Sequence, residues 1–163
     1  MFKSYCCIDT QTCEGSSSSQ ISYYQNPHYP EVEVDPVTTC SSRIAVEPGT
    51  CLVRLVLLDF VLSVSGRNCL TNLFTVIGAG TPPTQVYCGD SKGREGRATL
   101  HIIIKLSYVM LVLVPVHGGS SISLSFLVSR PGAKWSIMAT QEKCAHEGEQ
   151  EVVDENTEAI WPE

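Results

Sequence analysis

Hydrophobic and polar residues alternate along parts of the chain with the period of a β-strand. In residues 121–129, SISLSFLVS, every even-numbered residue is apolar and serines fill most of the positions between them. Residues 134–140 alternate in the same way. A period of two places one set of side chains on a buried face and the other toward solvent. Both segments are therefore predicted to be half-buried strands.

Other segments are apolar almost throughout. Residues 51–62, CLVRLVLLDFVL, are rich in branched and aromatic side chains and offer no polar face for an amphipathic helix. Residues 106–116 are also apolar, but a bilayer needs a run of about 20 residues. Buried strands are predicted in both. The apolar stretch 100–119 is longer than one strand pair needs. The sequence leaves open whether it is an inserted hairpin or a stretch that a gene model should have omitted.

Turn-forming residues separate these segments. Pairs such as Asn26-Pro27, Pro48-Gly49, Gly118-Gly119 and Pro131-Gly132 recur between the strands. Short strands, regular turns and the lack of a helical pattern predict an all-β fold, a sandwich of two packed antiparallel sheets.

The acidic charge of the chain is concentrated at its C-terminal end. The net charge is −6, yet seven acidic residues and no basic ones lie between Glu147 and Glu163. The rest is nearly neutral and lacks the basic stripe of a nucleic-acid-binding protein. Residues 145–163 are therefore expected to be a solvated, disordered tail.

Eight cysteines are spread along the chain without a Cys-x-x-Cys pair or histidines at zinc-ligand spacing. This usage indicates disulfides and an oxidising compartment, so we expect a secreted protein. Residues 1–12 contain Cys6 and Cys7 but no apolar run that could act as a signal peptide. We expect that this N-terminal segment is truncated and that the partners of Cys6 and Cys7 lie upstream.

Several motifs, in order, resemble those of CUB domains. The segment from Cys13 has an aromatic-Asn-Pro-x-Tyr-Pro turn, and Cys40 precedes the strand-like SRIAV. The long strand ends in Phe-x-Leu, and a second cysteine pair ends in Tyr-Cys-Gly at residues 87–89. The resemblance covers residues 13–144 and implies a disulfide-stapled, jelly-roll-like sandwich.

The resemblance also implies a disulfide pairing, which the sequence alone leaves open among fifteen arrangements of six cysteines. A cysteine on the long strand and another after a Trp-x-Ile strand are similar to an arthropod-type CUB variant. The implied bridges are Cys13–Cys40, Cys69–Cys88 and Cys51–Cys144.

Many CUB domains bind calcium through carboxylates, and this chain differs from them at the matching positions. It has Ser63, Asn72 and the loop 129–132, which contains Arg130, where the family has acidic residues. Asp59 is nearby, but calcium needs six to eight oxygen ligands. We therefore expect no bound metal and no calcium dependence.

Catalytic motifs are incomplete. Residues 88–93, CGDSKG, resemble the box around a serine-protease nucleophile, but no His-Cys box precedes them, so Ser91 as a hydrolase nucleophile is an unfavoured alternative. His117-Gly118-Gly119 resembles an oxyanion loop without a nucleophile elbow. Gly78-Ala79-Gly80 leads into prolines, which excludes a dinucleotide site. No cofactor and no enzyme activity are expected.

Lys92, Arg94 and Arg97 lie on a glycine-rich loop and are candidates for contact with a protein partner, although a solvated basic loop is the simpler interpretation. The sequence thus favours an extracellular protein-interaction module, in a larger secreted or protease-associated protein by analogy of fold alone. A secreted carbohydrate- or lipid-binding protein is the alternative. Neither the ligand nor an oligomeric state is indicated.

Overall fold

A computed structural model describes residues 8–35, 39–62, 71–78, 85–90, 104–106 and 109–145. These residues form twelve strands and no helix. The strands are β1 (Thr10–Gln11), β2 (Ser16–Ser17), β3 (Ile21–Gln25), β4 (Cys40–Ala45), β5 (Thr50–Leu62), β6 (Asn72–Gly78), β7 (Gln85–Tyr87), β8 (Gly89–Asp90), β9 (Ile104–Leu106), β10 (Val109–Pro115), β11 (Ser121–Val128) and β12 (Lys134–Lys143).

The strands form two sheets, as the sequence predicts. The larger has the order β1-β3-β12-β5-β10-β9, with β8 paired to the end of β5, and the smaller has the order β2-β4-β11-β6-β7. The all-β sandwich is confirmed. Two pairings differ from the expected antiparallel arrangement, since β1 runs parallel to β3 and β2 parallel to β4. Both involve strands of only two residues near a sheet edge.

Aromatic rings fill the space between the sheets. Trp135 of the larger sheet stacks on Phe126 of the smaller, with ring centroids 4.1 Å apart. Phe60 of the larger sheet meets Phe74 of the smaller edge-on at 5.8 Å, and Phe74 also stacks on Phe126. Such ring pairs contribute about 0.5–1.5 kcal/mol each beyond the burial of their area. The two sheets therefore share one core.

The alternating pattern of the sequence determines which side chains reach this core. In β11 the even-numbered apolar residues are all buried, and their neighbours are more exposed. In β5 the buried positions shift phase at Leu58, because the pairing with β12 slips between Ser136 and Ile137. Leu58 has no partner in that register and is 47% exposed. A β-bulge thus explains an apolar side chain at the surface.

The described part of the apolar stretch 100–119, residues 104–106 and 109–119, contributes two strands to the larger sheet. β10 pairs with β5 over six residues and forms a hairpin with β9. Val112, Val114 and Val116 are buried in the core. Burial within the sandwich accounts for their apolar character. Within the described residues, no helix is long and apolar enough to cross a membrane.

Two disulfides connect segments distant in sequence. Cys13 bonds Cys40, and Cys51 bonds Cys144, with Cα separations of 4.7 and 4.8 Å. These pairings match the ones that the resemblance implies. Cys88 is also disulfide-bonded. Cys69, Cys6 and Cys7 lie outside the described residues. The C-terminal bridge joins the first residues of β5 to the end of β12.

The folded region begins before Cys13. The backbone N–H of Tyr23 donates to Asp9, and Thr10 pairs with Tyr23 in the sheet. The Asp9 carboxylate accepts hydrogen bonds from Ser17 and Ser19, and the bond from Ser17 is the main cause of its lowered pKa. Thr10 and Gln11 are thus paired with β3 at the edge of the larger sheet. Residues 146–163, the remainder of the expected tail, lie outside the described residues.

Candidate binding surface

Several loops meet at one end of the sandwich, where β3, β5 and β11 finish and β6 and β12 begin. We call this region the loop end. It comprises residues 26–35, 59–62, 71–72, 89–90 and 129–134. Hydrogen bonds between backbone groups of Glu33, Gly132 and Ala133 join the first and last of these segments. The loop after β3 and the loop between β11 and β12 are therefore joined directly.

A buried amide fixes the loop that follows β3. The Asn26 side-chain oxygen accepts the backbone N–H of Trp135 at 3.0 Å. Its NH₂ group donates to the backbone oxygen of Glu31 at 2.9 Å and to Glu33 Oε1 at 2.8 Å. Asn26 is 1% exposed. The Asn26 side chain thus forms hydrogen bonds with two residues of its own loop, Glu31 and Glu33, and with the backbone of Trp135 on β12.

Glu33 is a buried carboxylate at the centre of this loop. Its Oε2 lies 2.9 Å from Nδ1 of the exposed His28, and Oε1 accepts the backbone N–H of His28. Burial alone raises the pKa of Glu33, but the hydrogen bonds from Asn26 and His28 outweigh it and lower the pKa below its ordinary value. The bond to Glu33 raises the pKa of His28. The two groups therefore form an ion pair at mildly acidic pH.

A second buried amide holds the loop between β11 and β12. The Asn72 side-chain oxygen accepts the backbone N–H groups of Ser129 and Arg130 at 2.9 and 3.1 Å. Its NH₂ group makes a longer contact, 3.4 Å, with the Arg130 backbone oxygen. Ser129 also donates its N–H to the backbone oxygen of Thr71. The start of β6 is thereby joined to the loop 129–132.

These residues do not fit a calcium ion. Asn72 Oδ1 is directed at backbone N–H donors, and Arg130 brings a cation to the loop. Asp59 forms an ion pair with Lys134 at 3.0 Å. The Thr71 hydroxyl is the one buried side-chain oxygen of the described part without a hydrogen-bond partner, and a single neutral oxygen is far from the six to eight that calcium needs. Ser63 lies outside the described residues.

The candidate residues of the glycine-rich loop, Lys92, Arg94 and Arg97, also lie outside the described residues, as does Ser91. The structure does show where that loop begins. Asp90, two residues before Lys92, pairs with Val61 at the loop end. His117 is exposed in the turn after β10, where a Cβ on Gly118 would lie 2.9 Å from the Cα of Pro48. That close approach is the structural reason for a glycine there.

Sequence reasoning missed the buried amides. Gln141 is a third example, at the opposite end of β12 and 2% exposed. Its Oε1 accepts the backbone N–H of Glu47 at 2.9 Å, and its Nε2 donates to the backbone oxygen of Ala45 at 3.0 Å. Gln141 lies in the larger sheet and Ala45 ends β4 of the smaller one. Nothing in the sequence distinguishes these amides from ordinary surface polar residues.

The fold is similar to that of known extracellular domains. No protein-family model matches the chain, and no curated protein matches it in sequence. Among solved structures, the MASP-1 CUB2 domain bound to Ca²⁺ is 17% identical, with a TM-score of 0.53 over 78% of this chain and 99% of that domain. The chain has a CUB-like fold.

Two larger solved structures also match this chain. The CUB1-EGF-CUB2 region of human MASP-1/3 is 17% identical over 77% of this chain and 43% of that one, with a TM-score of 0.55. The full extracellular region of zebrafish Gpr126/Adgrg6 is 15% identical and has a TM-score of 0.58. There the match covers 82% of this chain, which spans only 15% of the zebrafish chain. The CUB-like fold is thus shared with extracellular proteins, and membership of the arthropod-type variant stays a prediction.

Proposed function

We propose that this CUB-like domain is a secreted, non-enzymatic protein-interaction module whose loop end binds its partner without calcium. The observation that carries the proposal is the pair of buried amides, Asn26 and Asn72, which hold the loops of this end. Asn72 stands where calcium-binding CUB domains have an acidic residue. Loops held on a rigid sandwich are common recognition surfaces. A loop end fixed by side chains is ready to bind without a metal.

Covalent structure supports the extracellular assignment. Cys13–Cys40 and Cys51–Cys144 are disulfides, and such bonds persist in secreted proteins but rarely in the cytosol. The similar solved structures include an extracellular region and CUB domains. These observations agree with secretion.

We infer that basic residues of the loop end and of the segment that follows it contact acidic groups on the partner. Two of the five acidic residues at the loop end, Glu33 and Asp59, are already paired with His28 and Lys134. Arg130 is exposed on the loop between β11 and β12. The segment containing Lys92, Arg94 and Arg97 starts two residues after the β5–β8 pairing. We assign these four cations to the contact with the partner. Complementary charges on two partners mainly raise the rate of association, and added salt weakens this effect because it screens the charges.

The test is direct binding of the oxidised protein, made in a secretory host, to an array of purified extracellular domains in the presence of EDTA. We expect at least one saturable interaction, and we expect Lys92→Ala/Arg94→Ala/Arg97→Ala to weaken it. Lys143→Ala is the control, because Lys143 is exposed at the opposite end of β12. Binding that requires calcium, or that is equally sensitive to both variants, would overturn the proposal.

The hydrolase alternative has its own test. A fluorophosphonate probe should not label the native protein more than the Ser91→Ala variant. Labelling that Ser91→Ala abolishes would show a reactive nucleophile and contradict a purely binding function.

A further inference from the structure

A shallow cavity on the outer face of the smaller sheet is separate from the loop end. Its volume is about 310 Å³, which is at the lower end for small-molecule sites. The lining residues are small or polar: Glu14, Gly15, Ser16, Ser41, Ser42, Arg43 and Ser123. The cavity lies over β2, β4 and β11.

Strand register explains how the cavity forms. Arg43 on β4 pairs with Ser16 on β2 and with Ser123 on β11, and Ser123 pairs in turn with Ile77 on β6. Paired residues project from the same face, so the four form a row across strands that are about 5 Å apart. Serines on both sides of Arg43 are too short to cover it. They leave a depression beside the guanidinium, and Ile77, 52% exposed, provides an apolar surface at one end of the row.

Backbone hydrogen bonds hold Glu14 at the opposite wall of the cavity. Its N–H donates to the backbone oxygen of Ser41 at 2.6 Å, and its φ of 65° is a conformation that few residues other than glycine adopt. The Ser42 hydroxyl donates to the backbone oxygen of Thr12 at 2.7 Å. These contacts position the segment before β2 against β4.

Apart from the Ser42 hydroxyl, which is bonded to Thr12, the polar side chains that line the cavity have no hydrogen-bond or ion-pair partner within the described residues. Neither the Glu14 carboxylate nor the Arg43 guanidinium forms an ion pair there. The hydroxyls of Ser16, Ser41 and Ser123 likewise make no side-chain hydrogen bond in this part of the chain. One positive and one negative group give the cavity no net charge, so it favours neither a polyanion nor a cation.

We propose that this cavity binds one neutral sugar residue of an oligosaccharide. A sugar hydroxyl both donates and accepts hydrogen bonds, so neighbouring hydroxyls can accept from Arg43 and donate to Glu14. The serines supply further donors and acceptors. The site is independent of the proposed protein-binding function, because it lies on another face of the sandwich.

The experiment is an array of neutral, sialylated and sulfated oligosaccharides, followed by calorimetric titration with the neutral oligosaccharide that gives the strongest signal. We expect weak, calcium-independent binding that changes little with salt. Arg43→Gln and Glu14→Gln should each weaken it at least about tenfold, the effect of losing one hydrogen bond to a charged group. Lys143→Gln, which removes an exposed cation at the end of β12 in the larger sheet, is the matched control and should have no effect.

A further variant checks the cavity without removing a charge. Ser123→Leu should fill the space between Arg43 and Ile77 and abolish binding, with an unchanged circular dichroism spectrum. No binding of neutral oligosaccharides at millimolar concentration would overturn the proposal. So would binding of sulfated glycans alone, saturation by the zwitterionic dipeptide Gly-Gly but by no sugar, or binding that all three cavity variants retain.

Discussion

The side-chain oxygen of Asn72 lies 2.9 Å from the backbone nitrogen of Ser129, and this bond joins the start of β6 to the end of β11. Asn72→Ala would remove the acceptor of the Arg130 N–H and would leave the Ser129 N–H with the backbone oxygen of Thr71 alone. We expect it to lower the free energy of unfolding by about 1–3 kcal/mol, measured by urea denaturation. Asn72→Asp retains the acceptor oxygens and should cost less. An equal loss in both variants would show that the accepted hydrogen bonds are not what Asn72 contributes.

Calcium should have no effect on the folded protein. The amide oxygen of Asn72 is directed at N–H donors, and the Asp59 carboxylate is paired with Lys134, so the matching positions lack a set of free carboxylates. We expect the same melting temperature in millimolar calcium and in EDTA, by differential scanning calorimetry. A ligand that binds only the native state raises the melting temperature. A clear rise with calcium but not with magnesium is the contrary result.

The two described disulfides should differ in their contribution to stability. Cys51–Cys144 spans 93 residues and Cys13–Cys40 spans 27. In the chain-entropy model the longer loop contributes about 4–5 kcal/mol and the shorter about 3–4 kcal/mol. Denaturant unfolding of the paired Cys→Ser variants should therefore show the larger loss for Cys51 and Cys144. The opposite order would mean that native-state interactions outweigh loop entropy.

The His28–Glu33 pair predicts a pH window of stability. The pKa of His28 is raised above 6.5, so its contribution is complete below pH 6.5 and is lost as pH rises through the raised pKa. The pKa of Glu33 is lowered below 4.5, so its contribution is complete above pH 4.5 and is lost as pH falls through the lowered pKa. The pair contributes most between these limits.

The contribution of the pair is measured by urea denaturation of the wild type and of His28→Gln at several pH values. The quantity compared is the difference between their midpoints of unfolding. We expect the difference between them to be largest between pH 4.5 and 6.5 and to shrink above it. His117→Gln serves as the control, because His117 is exposed in a turn far from Glu33 in sequence. A difference that does not change with pH would contradict the ion pair.

Gln141 should be much less replaceable than its exposed neighbours on β12. Leucine has a similar volume but cannot accept from Glu47 or donate to Ala45, so Gln141→Leu leaves buried backbone groups unsatisfied. We expect a loss of about 2–4 kcal/mol in thermal or denaturant unfolding. Lys143→Leu changes a polar residue to leucine on the same strand at an exposed position and should cost little. If Lys143→Leu lowered the stability as much as Gln141→Leu, the loss would come from the introduced leucine and not from the missing hydrogen bonds.

The longer strands could be predicted because a strand that is buried on one face has apolar residues at every second position in the sequence. Residues 51–62 and 121–129 appear in the structure close to the predicted bounds as β5 and β11. The short strands β1 and β2 could not be predicted in the same way. Two residues are too few for a period, and their parallel pairing depends on contacts with β3 and β4 that only the folded chain brings together.

The hydrogen bonds that connect the loops at the loop end could not be predicted from the sequence, for a different reason. In the sequence, Asn26 indicates only an Asn-Pro turn, and Asn72 indicates only that a neutral residue stands where the family has an acidic one. Their roles depend on the register that places Trp135 and Ser129 within hydrogen-bond distance. The cavity on the smaller sheet depends on register too, because Ser16, Arg43 and Ser123 are far apart in sequence.

The C-terminal disulfide lies at the end of the sandwich opposite the loop end. β12 begins at Lys134 in the loop end and finishes beside Cys144, ten residues and about 30 Å later. Cys144 is bonded to Cys51 there, so that end is covalently clamped. A tether placed after Cys144 would hold the domain by its clamped end and point the loops away from the support. Immobilised on a sensor chip in this orientation, the protein would leave its proposed recognition surface free for a soluble analyte.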